Sequence, residues 1–127
     1  MRADMSESRH YDTVAYDVRN DAMILFFAKT RKTGDIEDYL LLMRAEGEDF
    51  EDTVYIEMNE NEFIGHDLIM EARMSDGILT LLLREPASEL QGAMEIVLSY
   101  DNNETNRANV EAGAFRILGD RLEGGHA

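Results

Sequence analysis

The sequence contains no cysteine, no tryptophan and only one proline. Without cysteine the chain has no disulfide bond, no thiolate metal ligand and no cysteine nucleophile, and its redox compartment is left open. No segment approaches the ~18 consecutive apolar residues of a membrane-spanning helix. The opening stretch MRADMSESRHYDT also lacks the apolar run of a secretory signal. The simplest prediction from these absences is a cytoplasmic protein.

Basic side chains are scarce, because the sequence has 12 Lys plus Arg against 27 Asp plus Glu, for a formal net charge of -15. Such a charge repels nucleic-acid backbones and anionic membrane surfaces, so we expect neither as a partner. The partner that it favours is a basic protein. Association with further copies of the same chain is left open.

The length and the apolar content predict a single domain. The chain has 127 residues, of which 44% are hydrophobic, and no Pro-rich linker or internal repeat divides it. We expect one domain over residues 1–127, with residues 1–10 and 120–127 frayed at its ends.

Two segments partly match the pattern of an EF-hand calcium-binding loop. An EF-hand requires Gly at its sixth position and a bidentate Glu at its twelfth. Counted from Glu57, the stretch EMNENEFIGHDL has Glu62 and Leu68 there, and DNNETNRANVEA from Asp101 has Asn106 and Ala112. Neither segment is therefore expected to bind calcium.

Catalytic and transition-metal motifs are missing as well. The three histidines, His10, His66 and His126, lie far apart, and the sequence has no G-x-S-x-G or G-x-G-x-x-G motif. A carboxylate pair such as Glu60 and Glu62 suits acid–base chemistry in principle, but such pairs arise by chance in an acidic chain. We expect no catalytic residue, no metal and no cofactor.

Two hairpins are the clearest structural signals. The segment around Asn20-Asp21 predicts a turn that sets Val18 opposite Met23, Tyr16 opposite Leu25 and Val14 opposite Phe27. Asp76-Gly77 is a favoured type I′ pair and predicts a second hairpin. It would pair Met74 with Leu79, Ala72 with Leu81, Met70 with Leu83, and, on the other face, Arg73 with Thr80, Glu71 with Leu82 and Ile69 with Arg84.

Alternating apolar residues predict three further strands, in DYLLLMRA, TVYIEM and MEIVLSY. Helical spacing of Val110, Ala114, Ile117 and Leu118 predicts one long helix from about Glu104 to Gly119. The expected fold class is α+β, a mainly antiparallel β-sheet built from hairpins, with a C-terminal α-helix packed on one face. About seven strands are expected.

One segment carries charge of a single sign. From Glu46 to Asp67 there is no Lys or Arg, but there are nine acids. They are Glu46, Glu48, Asp49, Glu51, Asp52, Glu57, Glu60, Glu62 and Asp67. This acidic segment either keeps the chain in solution or forms the surface that a basic partner contacts.

The order of features over residues 38 to 119 resembles the immunity protein 10 family of bacterial polymorphic toxin systems. The similarity lies in DYLLLMRAEGED, VYIEMNENEFIG, the strand pair around MSDGILTLLL, ELQGAMEIVLSYD and a closing helix that ends FRILGD. This resemblance implies a small non-enzymatic protein that binds and neutralises a cognate toxin. The nine acids are then the candidate partner-binding residues.

Two other function classes are left open by the residues. A homodimeric structural or interaction module would expose an apolar patch or an unpaired edge strand. A carboxylate-based enzyme would hold Glu57, Glu60, Glu62 or His66 together in a concave pocket.

Overall fold

The computed structural model describes residues 6–45, 53–60 and 62–123. Among these residues, ten strands form two five-stranded sheets beside one α-helix. The strands are β1 Ser6–Tyr11, β2 Thr13–Arg19, β3 Ala22–Thr30, β4 Ile36–Ala45, β5 Tyr55–Met58, β6 Phe63–His66, β7 Ile69–Ser75, β8 Ile78–Ala87, β9 Ala93–Tyr100 and β10 Leu122–Glu123. The helix α1 spans Glu104–Leu118, and short 3-10 turns span Ser88–Leu90 and Gly119–Arg121.

The two sheets have separate strand orders. Sheet A runs β1-β9-β8-β7-β10, and sheet B runs β2-β3-β4-β5-β6. Pairing is antiparallel except for β1 with β9 and β10 with β7. Each sheet turns the apolar side chains of its strands towards one shared core, as strand alternation dictates. The predicted α+β class, mainly antiparallel with a C-terminal helix, is confirmed.

The three strands that the sequence patterns do not predict are β1, β6 and β10, and each lies at the edge of a sheet. An edge strand has one neighbour, and β6 and β10 have only four and two residues. Their apolar alternation is therefore too short or too polar to stand out.

The first predicted hairpin is confirmed in full. Val18 lies opposite Met23, Tyr16 opposite Leu25 and Val14 opposite Phe27. Asn20 and Asp21 have φ of 47° and 66°, which is the left-handed backbone that a two-residue type I′ turn requires.

The second hairpin is confirmed near its turn and wrong at its open end. Met74 pairs with Leu79, Ala72 with Leu81, Glu71 with Leu82 and Arg73 with Thr80 as predicted, but Ile69 lies opposite Leu83. The register shifts between Ile69 and Glu71, which leaves Met70 as the extra residue of a bulge. Ile69 is fully buried whereas Met70 is 51% exposed, so the bulge places the branched side chain in the core.

Strand pairing extends into both of the ends that the sequence predicts to fray. Ser6–Tyr11 pair in parallel with β9, and the Tyr11 side chain is fully buried. At the other end, Gly119–Arg121 form a 3-10 turn and Leu122 pairs with Ala72. Both segments are held because each adds an edge strand to sheet A. Residues 1–5 and 124–127 lie outside the described ranges.

Helix α1 begins at an Asn cap and packs on the core side of β2 and β3. The Asn103 side chain accepts a hydrogen bond from the Asn106 backbone N–H at 2.8 Å. The predicted stripe of Val110, Ala114, Ile117 and Leu118 is buried. A Cβ added at Gly113 would lie 2.7 Å from Leu25 Cδ1, so glycine is what lets the helix approach β3 this closely.

Candidate functional site

The acidic segment is divided by the tertiary structure. Glu46, Glu48, Asp49, Glu51 and Asp52 lie outside the described residues. The other four acids, Glu57, Glu60, Glu62 and Asp67, have different surroundings. Glu62 and Asp67 form ion pairs inside the molecule, whereas Glu57 and Glu60 form none with the described residues.

Glu62 forms an ion pair with Arg9, which reaches it from the edge of sheet A. Arg9 Nη2 and Nη1 lie 2.6 and 3.2 Å from the two Glu62 carboxylate oxygens. Arg9 also contacts Glu7 at 2.7 Å and Asp38 at 3.4 Å, and its side chain is only 15% exposed. Burial disfavours the charged guanidinium, but hydrogen bonds to Glu62 and Glu7 outweigh it and raise the pKa of Arg9. The same bond lowers the pKa of Glu62.

Asp67 is neutralised at the other end of β6. Its carboxylate lies 3.1 Å from Arg84 Nη2 and 3.7 Å from Arg121 Nη2. Its backbone carbonyl accepts a second hydrogen bond from Arg84, at 2.9 Å. Asp67 therefore joins the β6–β7 turn to β8 and to the turn after α1.

Glu57 and Glu60 lie at or near the end of sheet B that carries the β5–β6 turn. Glu60 is exposed in this turn, which is closed by a hydrogen bond from Glu62 N–H to the Met58 carbonyl at 3.2 Å. Glu57 lies in β5 and points away from the core, because its neighbours Ile56 and Met58 are fully buried. Glu57 therefore stands on the outer face of sheet B.

The outer face of sheet B is largely apolar. Its rows follow from the strand register, in which Phe26, Leu41, Glu57 and Ile64 lie side by side. On strands β3 to β6 we define this outer face as Ile24, Phe26, Tyr39, Leu41, Met43, Tyr55, Glu57, Ile64 and His66. The edge strand β2 continues the same side of the sheet with Asp17 and Arg19, which pair with each other. Sheet A and α1 both pack on the opposite face. Most of these side chains are half-buried, whereas His66 is exposed and Ile64 is 42% exposed.

Glu57 is held in place by two tyrosines. The Tyr39 hydroxyl donates to Glu57 Oε2, and the Tyr55 hydroxyl donates to Glu57 Oε1 at 2.6 Å. The hydrogen bond to Glu57 raises the pKa of Tyr39 to about 12 and also raises the pKa of Tyr55, so both hydroxyls keep their protons near neutral pH. Tyr39 is positioned by stacking on Phe26, with ring centroids 5.6 Å apart. Within the described ranges, no lysine or arginine pairs with Glu57.

Sequence patterns predict Glu57 as a contact residue but not the face around it. A signal for that face was present, since MILFF in β3 and YLLLM in β4 are apolar at every position. A strand with one solvated face alternates apolar and polar residues. Two adjacent strands that are apolar at every position therefore indicate that both faces of the sheet are apolar.

A Ser–His–Asp arrangement lies on the outer face of sheet A and was not predicted. His10 Nδ1 lies 2.8 Å from Ser99 Oγ, and His10 Nε2 lies 2.9 Å from Asp101 Oδ1. Ser99 is flanked by β1 and β8, whose ladders use the neighbouring backbone N–H groups. A hydrolase needs free N–H donors there for an oxyanion. His10 and Asp101 are more than half exposed, so this geometry is better suited to anchoring β1 than to catalysis.

The carboxylate-enzyme hypothesis gains no support from three cavities among the described residues. Surface cavities of about 310, 390 and 410 Å³ lie beside Gly77, Phe63 and Gly119 respectively. None of these three is lined by Glu57, Glu60, Glu62 or His66. His66 instead packs its ring 5.0 Å from that of Tyr55. Over the residues that the structure describes, no three His, Asp or Glu side chains converge as a metal site would require.

Comparison with known proteins adds no assignment. No protein-family model matches the sequence, and a search of curated proteins finds no match either. In the described part of the chain, no helix is long and apolar enough to cross a membrane. The outer face of sheet B and the charge of the chain are therefore the features that bear on function.

Proposed function

We propose that this protein is a non-enzymatic, cytoplasmic binding protein that neutralises a basic protein toxin, as the resemblance to immunity proteins implies. The observation that carries the proposal is the outer face of sheet B, an apolar surface with one carboxylate, Glu57, which two tyrosines hold and which pairs with no cation in the described ranges. Protein interfaces favour aromatic residues at a desolvated centre, together with a charge complementary to the partner.

The net charge of -15 supports a basic partner over a second copy of the chain. A symmetric dimer through this surface would place the same face of both subunits together. Two Glu57 side chains would then share one desolvated interface. Like charges brought together in this way oppose association.

The proposal predicts a toxin gene beside this protein's own gene, and the toxin domain that it encodes supplies the test. Bacteria that express this domain should stop growing, and co-expression of the present chain should restore growth. The purified proteins should also form a complex in size-exclusion chromatography. A toxin domain that remains lethal and does not bind the purified chain would overturn the proposed function.

Removing two acidic charges near the outer face should slow association. Replacing Glu57 and Glu60 together by Gln preserves side-chain size, and the lost attraction should lower the association rate by about 3- to 10-fold at low salt. The dependence of the rate on salt should also flatten, because exposed charges beyond ~10 Å are screened at 0.1 M salt. Stopped-flow mixing with the toxin domain at several salt concentrations measures both effects.

The matched control removes the same number of charges elsewhere. Glu104 and Glu111 are exposed on α1, which packs on the core side of sheet B, and replacing both by Gln changes the net charge equally. This control should retain nearly the parental rate. Equal rates and equal salt slopes for the two double variants would show that Glu57 and Glu60 are not near the contact.

A further inference from the structure

We propose that Glu57 is the receptor for one arginine side chain of the partner, at the centre of the outer face of sheet B. Apolar atoms around that arginine would contact Leu41 and Ile64, which flank Glu57 in its cross-strand row. This inference deepens the proposed function, and it relies on that function only for the identity of the partner.

The hydrogen bonding of Glu57 leaves room for a cation. An ionised carboxylate has about four acceptor positions, and the tyrosine hydroxyls occupy one on each oxygen. The remaining position on each oxygen suits the forked N–H groups of a guanidinium. Since Tyr39 and Tyr55 fix the carboxylate before binding, little side-chain entropy remains to be lost when the partner docks.

The surroundings of Glu57 favour arginine over lysine. Tyrosine rings adjoin the carboxylate, and a planar, weakly hydrated guanidinium stacks on aromatic rings better than an ammonium does. The neighbouring Leu41 and Ile64 are apolar, so a docked partner would exclude water from the ion pair. An ion pair that is shielded from water by such neighbours contributes more to affinity than one at an exposed rim.

Charge complementarity also decides between a basic partner and a second copy. Glu57 is the acid that the register places among apolar residues on the central strands of this face, and no cation in the described ranges compensates it. A symmetric second copy would bring another Glu57 into the interface, and the Arg19 that β2 adds to this side of the sheet already pairs with Asp17 at 2.5 Å. The face as it stands therefore fits a basic partner protein better than itself.

The peptide acetyl-Leu-Arg-Leu-amide tests the site without the toxin. Titrated into the ¹⁵N-labelled chain, it should shift the amide resonances of β4, β5 and β6, including those of Leu41 and Ile64. The same peptide with citrulline, which is neutral and nearly isosteric with arginine, should bind at least about 10-fold more weakly because the ion pair is absent. Equal affinities for the two peptides, or shifts confined to other elements, would overturn the proposal.

Three single variants resolve the individual contributions. Glu57→Gln should abolish the preference for arginine over citrulline, and Ile64→Thr should weaken both peptides, because Ile64 is exposed and supplies only apolar contact. The control is Glu95→Gln, which removes a half-buried glutamate from the outer face of sheet A. This control should bind both peptides as the parent does. Loss of the preference in Glu95→Gln as well would count against Glu57 as the receptor.

Affinity for the toxin domain separates this inference from the proposed function. Glu57→Gln should weaken the complex by about 10- to 100-fold, mainly through faster dissociation. A complex that forms normally with this variant would refute the arginine receptor and leave the proposed function intact. Arginine-selective peptide binding without any toxin binding would support the arginine receptor and refute the proposed function. A parent chain that sediments as a dimer, with Ile64→Thr restoring the monomer, would identify a second copy as the occupant and overturn the inference.

Discussion

Replacing Asn106 by Ala should lower the free energy of unfolding by about 3–6 kcal/mol, because its buried amide serves three backbone groups. Asn106 Nδ2 donates to the carbonyls of Asp12 and Asp101, both at 2.9 Å, and Oδ1 accepts from Val14 N–H at 3.0 Å. The side chain is 4% exposed, so water would not readily replace these bonds. Each orphaned group costs about 1–3 kcal/mol. Urea unfolding measures the change.

The matched control for Asn106 is its helical neighbour Asn109. Asn109 Nδ2 donates one hydrogen bond, to the Val14 carbonyl at 2.9 Å, and its residue is half-buried. Asn109→Ala should therefore lower the free energy of unfolding by only about 1 kcal/mol. Similar losses of stability for the two variants would mean that the three hydrogen bonds of Asn106 do not hold β2 to α1.

Replacing Arg9 by Met should lower the free energy of unfolding by about 2–4 kcal/mol near neutral pH. Methionine keeps an apolar stem of similar length but leaves the carboxylates of Glu7, Asp38 and Glu62 together without their shared cation. Urea unfolding of the parent and the variant across the acidic range measures both the loss and its pH dependence.

The stability lost in Arg9→Met should be smaller in acid, and the pKa of Glu62 gives the reason. Its pKa is lowered in the folded protein by the Arg9 hydrogen bond. The pair therefore contributes fully above the ordinary glutamate pKa of about 4.3 and loses its contribution as the pH falls through the lowered folded value. Arg19→Met is the control, since Arg19 pairs with Asp17 at an exposed site and should matter little at any pH. A loss for Arg9→Met that is constant from pH 7 to pH 3 would contradict this account.

The sequence was sufficient for the parts of the fold that local patterns encode. Asn20-Asp21 and Asp76-Gly77 predicted both turns, and alternation then set the register of the residues beside them. The bulge at Met70 was not predictable in the same way. The inserted residue places Ile69 in the core that the two sheets share, and the burial of Ile69 stabilises the bulge. The sequence of the hairpin alone contains no information about the opposite sheet.

The candidate site was predicted in composition but not in arrangement. The sequence by itself determined the charge, the acidic segment and the apolar runs of β3 and β4. Glu57 was among the predicted contact residues, but its tyrosine partners were not. Tyr39 lies 18 positions before it and reaches it only because β4 and β5 are neighbours in sheet B.

Only the tertiary structure decided which acids in the described part of the segment keep an uncompensated charge. The segment contains no Lys or Arg, yet Arg9 pairs with Glu62 across 53 positions and Arg84 pairs with Asp67 across 17. Such pairs depend on which strand ends meet, whereas local periodicity specifies only the face on which each side chain lies. Folding therefore neutralised Glu62 and Asp67 and left Glu57 on an apolar face, because the cations that reach this segment come from strands β1 and β8 of the other sheet and from the turn after α1.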